Sequence, residues 1–195
     1  MNARTDWWGL ARESLTSPRA AARAILNMKL SDLVLWEGMV LVAIVSVLMI
    51  FAEIYIGGGA RGAFVVIAGA PLLMAAIQFA TLVLTVAALA GIGRAFGGHG
   101  DWSGAMALVV WLQVIMLGFA AAQTVLYLLL PPLADMLGLL SIVVLLGLLT
   151  NFAAELHGFT NIWKVFAGVI GAGVVLILTI SFLISLFLTG LPGGA

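Results

Sequence analysis

Two histidines and two carboxylates are the residues of this chain whose types and spacing could support chemistry. His99 and Asp101 lie in one short polar stretch, and Glu155 and His157 lie in another. Imidazole and carboxylate groups can bind a divalent metal or transfer protons. Neither stretch has the spacing of an established metal motif, such as two histidines four residues apart on one helix. We therefore predict no catalytic residue, no metal and no cofactor, although the sequence leaves open whether the four side chains converge.

The composition places these polar stretches in an integral membrane protein. Apolar residues make up 64% of the 195 residues and charged residues 8%, whereas a soluble domain has about 45–50% and about 25%. Eight basic residues balance eight acidic ones, so no net positive field attracts nucleic acid. The absence of cysteine excludes disulfides, thiolate catalysis and cysteine-ligated clusters.

Five apolar segments must position the polar stretches, and each is long enough to cross a hydrocarbon core of about 30 Å. Short connections between them make neighbouring helices antiparallel. Pro71 lies inside the second segment, where its missing hydrogen bond should bend the helix. The sequence predicts an all-α protein, with a cytoplasmic segment at 1–31, a bundle of five transmembrane helices within 32–190 and a short tail at 191–195. The predicted spans are 33–55, 63–93, 104–130, 136–154 and 164–188.

The basic residues predict the orientation of the bundle, because lysine and arginine are enriched in cytoplasmic loops. With the N-terminus inside, the opposite side of the membrane holds only Arg61. This places the N-terminus in the cytoplasm and the C-terminus outside. The cytoplasmic side then holds Arg4, Arg12, Arg19, Arg23, Lys29, Arg94 and Lys164.

The segment before the first span has the pattern of a basic amphipathic helix on the inner leaflet. Ser17 can cap this helix and Pro18 suits its first position. An unremarkable lead-in that sets topology by its charge is the alternative. The polar face carries Arg19, Arg23 and Lys29, the apolar face Ala22, Ile25, Leu26 and Leu30, and Trp7 and Trp8 could add an interfacial anchor. We expect Trp7, Trp8, Arg19, Arg23 and Lys29 to contact lipid or a partner.

The two polar stretches are predicted to be hairpin turns at the membrane surface. In "FGGHGDWSG" the glycines turn the chain, and Asp101 or Ser103 can cap the next helix. In "ELHGFTNIWK" the candidate caps are Thr160 and Asn161. Both stretches contain His-Gly, an aromatic residue and a hydroxyl residue near a helix start. The match is too short to decide whether they form an internal repeat.

Small and amide side chains within the spans are predicted to serve helix packing. Small residues four apart let helices approach closely, and the last span carries Ala167, Gly168, Gly171 and Ala172. Packing within the chain is the first interpretation and a dimer contact is the second. Gln78, Gln113 and Gln123 either bond to neighbouring helices or line a solute path.

The chain resembles the Yip1 domain family over residues 16–190. The resemblance lies in "SPRAAARAIL", in "FGGHGDWSGAMALV" and in "ELHGFTNIWKVFAGVI". The second stretch is similar to the family's Phe-Gly-Gly-x-Gly-x-aromatic loop, and the third to its His-Gly-aromatic-Ser/Thr turn. The residues that match are Phe96, Gly97, Gly98, Gly100 and Trp102, and His157, Gly158, Phe159 and Thr160.

This resemblance implies five spans, an inner N-terminus and a non-enzymatic role. We expect a prokaryotic-type member in a bacterial inner membrane, acting as a scaffold that contacts lipid or partner proteins. Its expected partners are membrane lipids, with other membrane proteins or a second copy of the chain. The alternative is a transporter or channel subunit for a weakly polar or lipid-like solute. The family's link to Rab-type GTPases in eukaryotes does not extend to so short an N-terminal segment.

Overall fold

The protein is all-helical throughout the residues that the structure, a computed structural model, describes: 6–56 and 70–189. Two short helices precede five long ones, which confirms the predicted fold class. The helices are α1 (Trp7–Thr16), α2 (Pro18–Asn27), α3 (Asp32–Ile56), α4 (Pro71–Ala95), α5 (Trp102–Leu129), α6 (Pro131–His157) and α7 (Ile162–Thr189). The predicted tail at 191–195 lies outside the described residues.

The five long helices, α3 to α7, are each long and apolar enough to cross a membrane. They contain 25–28 residues, which gives about 37–42 Å at about 1.5 Å per residue. Each therefore exceeds the hydrocarbon thickness of about 30 Å by several ångströms. Their ends can accordingly reach the headgroup layer on both sides.

Pro18, Pro71 and Pro131 are each the first residue of a helix. The sequence interpretation is corrected at Pro71 and at Pro131. Pro71 is the first residue of α4, after a non-helical Ala70, and so begins this helix instead of bending its first part. The predicted start at residue 63 lies outside the described residues. Pro131 and Pro132 open α6, directly after Leu130, instead of lying before a helix that starts at 136. Proline fits the first helical turn because the amide hydrogens there have no partner within the helix.

Helix α5 is the centre of the bundle, in contact with α2, α3, α4 and α6. All residues from Ala105 to Val109, near its start, are buried, while its last turns are exposed or half-buried. The buried part of α6 is likewise the end that leads to His157. The core therefore lies at the end of the bundle where α5 begins and α6 ends. We call this the loop end.

Helices α1 and α2 form an N-terminal hairpin that packs on the loop end. Ala21, Ala22 and Ile25 of α2 are buried, and α2 contacts both α5 and α6. The apolar face that the sequence assigned to the inner leaflet is thus covered mainly by protein. That correction has a simple cause, since an amphipathic pattern shows that one face is buried and not what buries it.

Candidate functional site

Both loops at the loop end are built on the same helix ending. The first loop (96–101) joins α4 to α5, and the second loop (158–161) joins α6 to α7. Gly97 and Gly158 have positive φ, of 86° and 72°. In each case the next amide donates to a carbonyl five residues back, from Gly98 to Gly93 and from Phe159 to Ala154. This is a Schellman ending, which requires the left-handed conformation that glycine adopts without strain.

Side-chain caps start the helices that leave the two loops. The Asp101 carboxylate accepts from the Gly104 amide at 3.1 Å. The Asn161 side chain accepts from the amides of Trp163 and Lys164, both at 3.1 Å. These bonds confirm one of the two candidate caps predicted for each loop.

His157 joins the two loops. It is the last residue of α6 and only 3% exposed. Its Nδ1 lies 3.1 Å from the Gly100 amide nitrogen, and its Nε2 lies 2.8 Å from the Leu89 carbonyl oxygen. Because an amide can only donate and a carbonyl can only accept, Nδ1 must be the bare nitrogen and Nε2 must carry the hydrogen. The ring therefore connects α6 to α4 and to the first loop.

Three glycines form a cradle around the imidazole of His157. A methyl group at Gly93 or Gly98 would overlap the ring, and one at Gly100 would lie 2.6 Å from its Cε1. By contrast, a methyl group at Gly91 would meet nothing within 4 Å. The glycines in and just before the first loop thus serve two purposes, since Gly97 makes the turn and Gly93, Gly98 and Gly100 admit the ring.

The two His-Gly pairs are not equivalent in the structure. The ending at Gly158 corresponds to the one at Gly97, so the position equivalent to His157 is Phe96 and not His99. Phe96 is 75% exposed whereas His157 is buried. The similarity of the loops lies in their helix endings and caps.

Two arginines of α2 bind the second loop and the last turn of α6. Arg19 donates from Nη2 to the Phe159 carbonyl at 2.7 Å. Arg23 donates from Nε to Glu155 Oε1 at 2.8 Å, and this hydrogen bond together with the charge of Glu155 raises the pKa of the guanidinium. Both positive charges lie at a helix C-terminus, where the helix dipole favours cations.

These bonds bear on the prediction that basic residues of the N-terminal segment contact lipid. Arg19 and Arg23 have partners within the chain, although the Arg23 side chain is still 66% exposed. Lys29 is exposed and follows α2 with φ of 46°, a left-handed conformation for which glycine is the usual residue. That these residues contact lipid stays a prediction.

The two tryptophans of α1 lie on different sides of the helix. The ring of Trp7 lies 5.8 Å from that of Trp111 on α5. Trp111 in turn donates from Nε1 to the buried hydroxyl of Ser14 on α1 at 2.9 Å. Trp8 is 83% exposed. Trp7 therefore helps to attach α1 to the bundle, while Trp8 takes no part in the core.

The four candidate chemical residues have separate roles. Asp101 is a cap, Glu155 pairs with Arg23, and both ring nitrogens of His157 bind backbone. His99 is exposed. In the part of the chain that the structure describes, no three His, Cys, Asp or Glu side chains are grouped as metal ligands.

The remaining residues of the loop motifs are mostly at the surface. Trp102 is 37% exposed, and Thr160 is exposed. Phe159 is half-buried and stacks on His157, with ring centroids 5.5 Å apart. In addition, Ser103 donates to Asp32 at 2.8 Å and so ties the start of α5 to the start of α3.

The small residues of α7 do not pack within the described chain. A methyl group at Gly168 or Gly171 would meet nothing within 4 Å, and Ala167 is exposed. Ala172 is half-buried. No described residue thus packs on the two glycines, and packing within the chain and a dimer contact both stay predictions.

The amides of the spans support packing where the structure shows their contacts. Gln113 donates to the Ser46 hydroxyl at 2.8 Å, which joins α5 to α3. The Gln123 amide lies against Gly138, where an added methyl group would meet it at 2.9 Å. Gln78 is half-buried on α4. A solute path along these residues stays a prediction.

Comparison with known proteins assigns the fold to a family. The sequence model of the Yip1 domain matches residues 12–184, which include part of α1, all of α2 and both loops. The chain belongs to the Yip1 domain family. It is a multi-spanning integral membrane protein by this membership and by its five long apolar helices. No curated protein and no solved structure matches the chain.

In this Yip1 domain, the motifs that carried the resemblance are the parts that interlock. The Gly-Gly-x-Gly stretch supplies two glycines of the cradle, and the His-Gly turn supplies the ring that fills it. Sequence reasoning assigned the glycines to a turn and the histidine to a polar loop. The only available signal was that glycines recur at 91, 93, 97, 98 and 100, which is more than one turn needs.

Proposed function

We propose that this Yip1 protein is a non-enzymatic membrane scaffold whose interaction surface is the loop end. The observation that carries the proposal is the joining of three distant segments, the N-terminal hairpin and the two loops, into one surface. Arg19 and Arg23 join the N-terminal hairpin to the second loop and the last turn of α6. His157, at the end of α6, joins that helix to the first loop. Two of the four side chains best suited to chemistry, Glu155 and His157, are used for this joining, which supports a binding role.

The contact part of this surface is the outer face of α1. Trp8 is 83% exposed and Leu15 is 52% exposed. The two are seven residues apart, which is about two helical turns, so they lie on the same side. Leu10 and Ser14, on the opposite side, attach α1 to the core. An exposed tryptophan and leucine that the fold does not use are typical of a surface for lipid or another protein.

The proposed orientation places the loop end at the cytoplasmic face of a bacterial inner membrane, with the C-terminus outside. The described basic residues support it, because Arg94 ends α4 and Lys164 lies in the first turn of α7, beside the second loop. The remaining ones, Arg12, Arg19, Arg23 and Lys29, lie on or just after the N-terminal hairpin. Lysine and arginine are enriched on that side of the membrane.

Photocrosslinking in native membranes tests the scaffold role. A photoreactive residue replaces Trp8 or Leu15 and, as the matched control, Tyr55, which is 90% exposed near the other end of α3. We expect discrete protein adducts from positions 8 and 15, and lipid adducts alone from position 55. Equal patterns at all three positions would contradict a specific surface on α1.

A further inference from the structure

An open groove lined by both charged and apolar residues lies between the two helices of the N-terminal hairpin. Its volume is about 660 Å³, within the range of about 300–1,000 Å³ that is common for small-molecule sites. Helix α2 contributes Ala24 and Met28 to the wall. The α1 side is lined by Asp6, Gly9, Leu10, Arg12, Glu13 and Thr16.

Charged groups of both signs line this groove without pairing to one another. Arg12 is exposed and Glu13 is half-buried. The only ion pair among the described residues is the one between Arg23 and Glu155. The Asp6 carboxylate uses Oδ1 to accept from the Gly9 amide at 2.9 Å. One cation and two carboxylates therefore face the same space.

The groove lies beside the exposed apolar residues of α1, and α1 itself packs alongside α5. Ser14, one residue beyond Glu13, bonds to Trp111, which is nine residues into α5. Nine residues correspond to about 14 Å along the helix. The exposed Trp8 and Leu15 flank the polar residues on α1. A molecule in the groove can thus keep a polar end beside Arg12 and an apolar end beside Trp8.

We propose that the groove binds the headgroup of a zwitterionic phospholipid with a primary ammonium group. Arg12 binds the phosphate, since a guanidinium donates in a geometry that matches phosphate oxygens. Glu13 and Asp6 bind the ammonium. A purely anionic headgroup fits less well because the two carboxylates repel it. The proposed site thus names a lipid that the scaffold binds. It rests on the proposed function only for the cellular role of that lipid.

Native mass spectrometry of delipidated protein tests the site. Phosphatidylethanolamine and phosphatidylglycerol with identical acyl chains are titrated separately. We expect the first to bind more tightly. Arg12→Gln should weaken both lipids by about tenfold or more, and Glu13→Gln should do so for phosphatidylethanolamine alone, as for one charge-assisted hydrogen bond. Arg94→Gln, outside the groove at the end of α4, is the control.

Several outcomes would overturn the proposal. Phosphatidylglycerol binding as tightly as phosphatidylethanolamine would do so, and so would variants of Arg12 and Glu13 that behave like Arg94→Gln. Stronger binding of both lipids to Glu13→Gln would show that the groove recognises phosphate alone. Thermal unfolding of each variant checks the fold. If phosphatidylethanolamine binds no more tightly than phosphatidylglycerol but position 8 still gives protein crosslinks, only the headgroup site is overturned. If phosphatidylethanolamine is preferred but position 8 gives no protein crosslinks, only the scaffold role is overturned.

Discussion

Replacing His157 should destabilise the bundle more than any other change at the loop end. His157→Ala leaves the buried Gly100 amide without a partner and removes one of the two hydrogen bonds of the Leu89 carbonyl, which keeps its bond within α4. The unpaired amide costs about 1–3 kcal/mol and the lost bond to Leu89 about 0.5–1.5 kcal/mol. The empty space left in the glycine cradle adds to these figures.

Two partial replacements separate the bonds of the ring. The Oδ1 of His157→Asn can occupy the position of Nδ1 and accept from Gly100, but this side chain does not reach Leu89. The Nε2 of His157→Gln can donate to Leu89 but leaves Gly100 without a partner. Each variant should therefore recover part of the stability that His157→Ala loses. Reversible unfolding in mixed detergent micelles, followed by circular dichroism, gives the free energies.

The result that would refute this reasoning is a His157→Ala protein within about 0.5 kcal/mol of the wild type, the range of surface changes. Asparagine and glutamine variants no more stable than the alanine variant would also contradict it. Gly91→Ala is the matched control, because this helical glycine has open space around it. Its stability should be unchanged or raised by about 0.5–1 kcal/mol.

Three further predictions concern the parts around the cradle. Arg19→Ala should cost about 1.5–3 kcal/mol through its charge-assisted bond to Phe159, and Arg23→Ala should cost clearly less because its ion pair is exposed to solvent; equal losses in the unfolding assay would contradict this order. Lys29→Gly should raise stability by about 1 kcal/mol by relieving the left-handed backbone, and a lowered melting temperature would count against it. Gly171→Leu should leave monomer stability unchanged within about 0.5 kcal/mol, since no described residue lies within 4 Å of a methyl group added there; a larger loss in detergent at low protein concentration would contradict this expectation.

The sequence predicts what is local in this fold. Runs of apolar residues identify the five spans, and the caps at Asp101 and Asn161 follow from residue type and position. Pro131 was misread because proline ends a helix in one context and begins one in another. The general rule that favours proline at the first helical position was available for this residue as well.

The contacts that make the loop end are not local, and the sequence does not predict them. Arg19 and Phe159 are 140 residues apart, and Arg23 and Glu155 are 132 apart. From the sequence alone, a basic residue near a span is therefore assigned to lipid. In the structure, Arg19 and Arg23 instead bind at the C-terminal end of α6. In the same way, a glycine in a loop indicates a turn, and only the structure shows that Gly98 admits a ring from another helix.

The most direct test of the interlocked loop end is a double-mutant cycle between Gly93→Ala and His157→Ala. Alone, Gly93→Ala should cost about 1–3 kcal/mol, because its new methyl group overlaps only ring atoms of the imidazole, all of which His157→Ala removes. In the His157→Ala background the same change should cost less than about 0.5 kcal/mol, which gives a coupling of at least about 1 kcal/mol. Additive costs for the two changes would contradict the account.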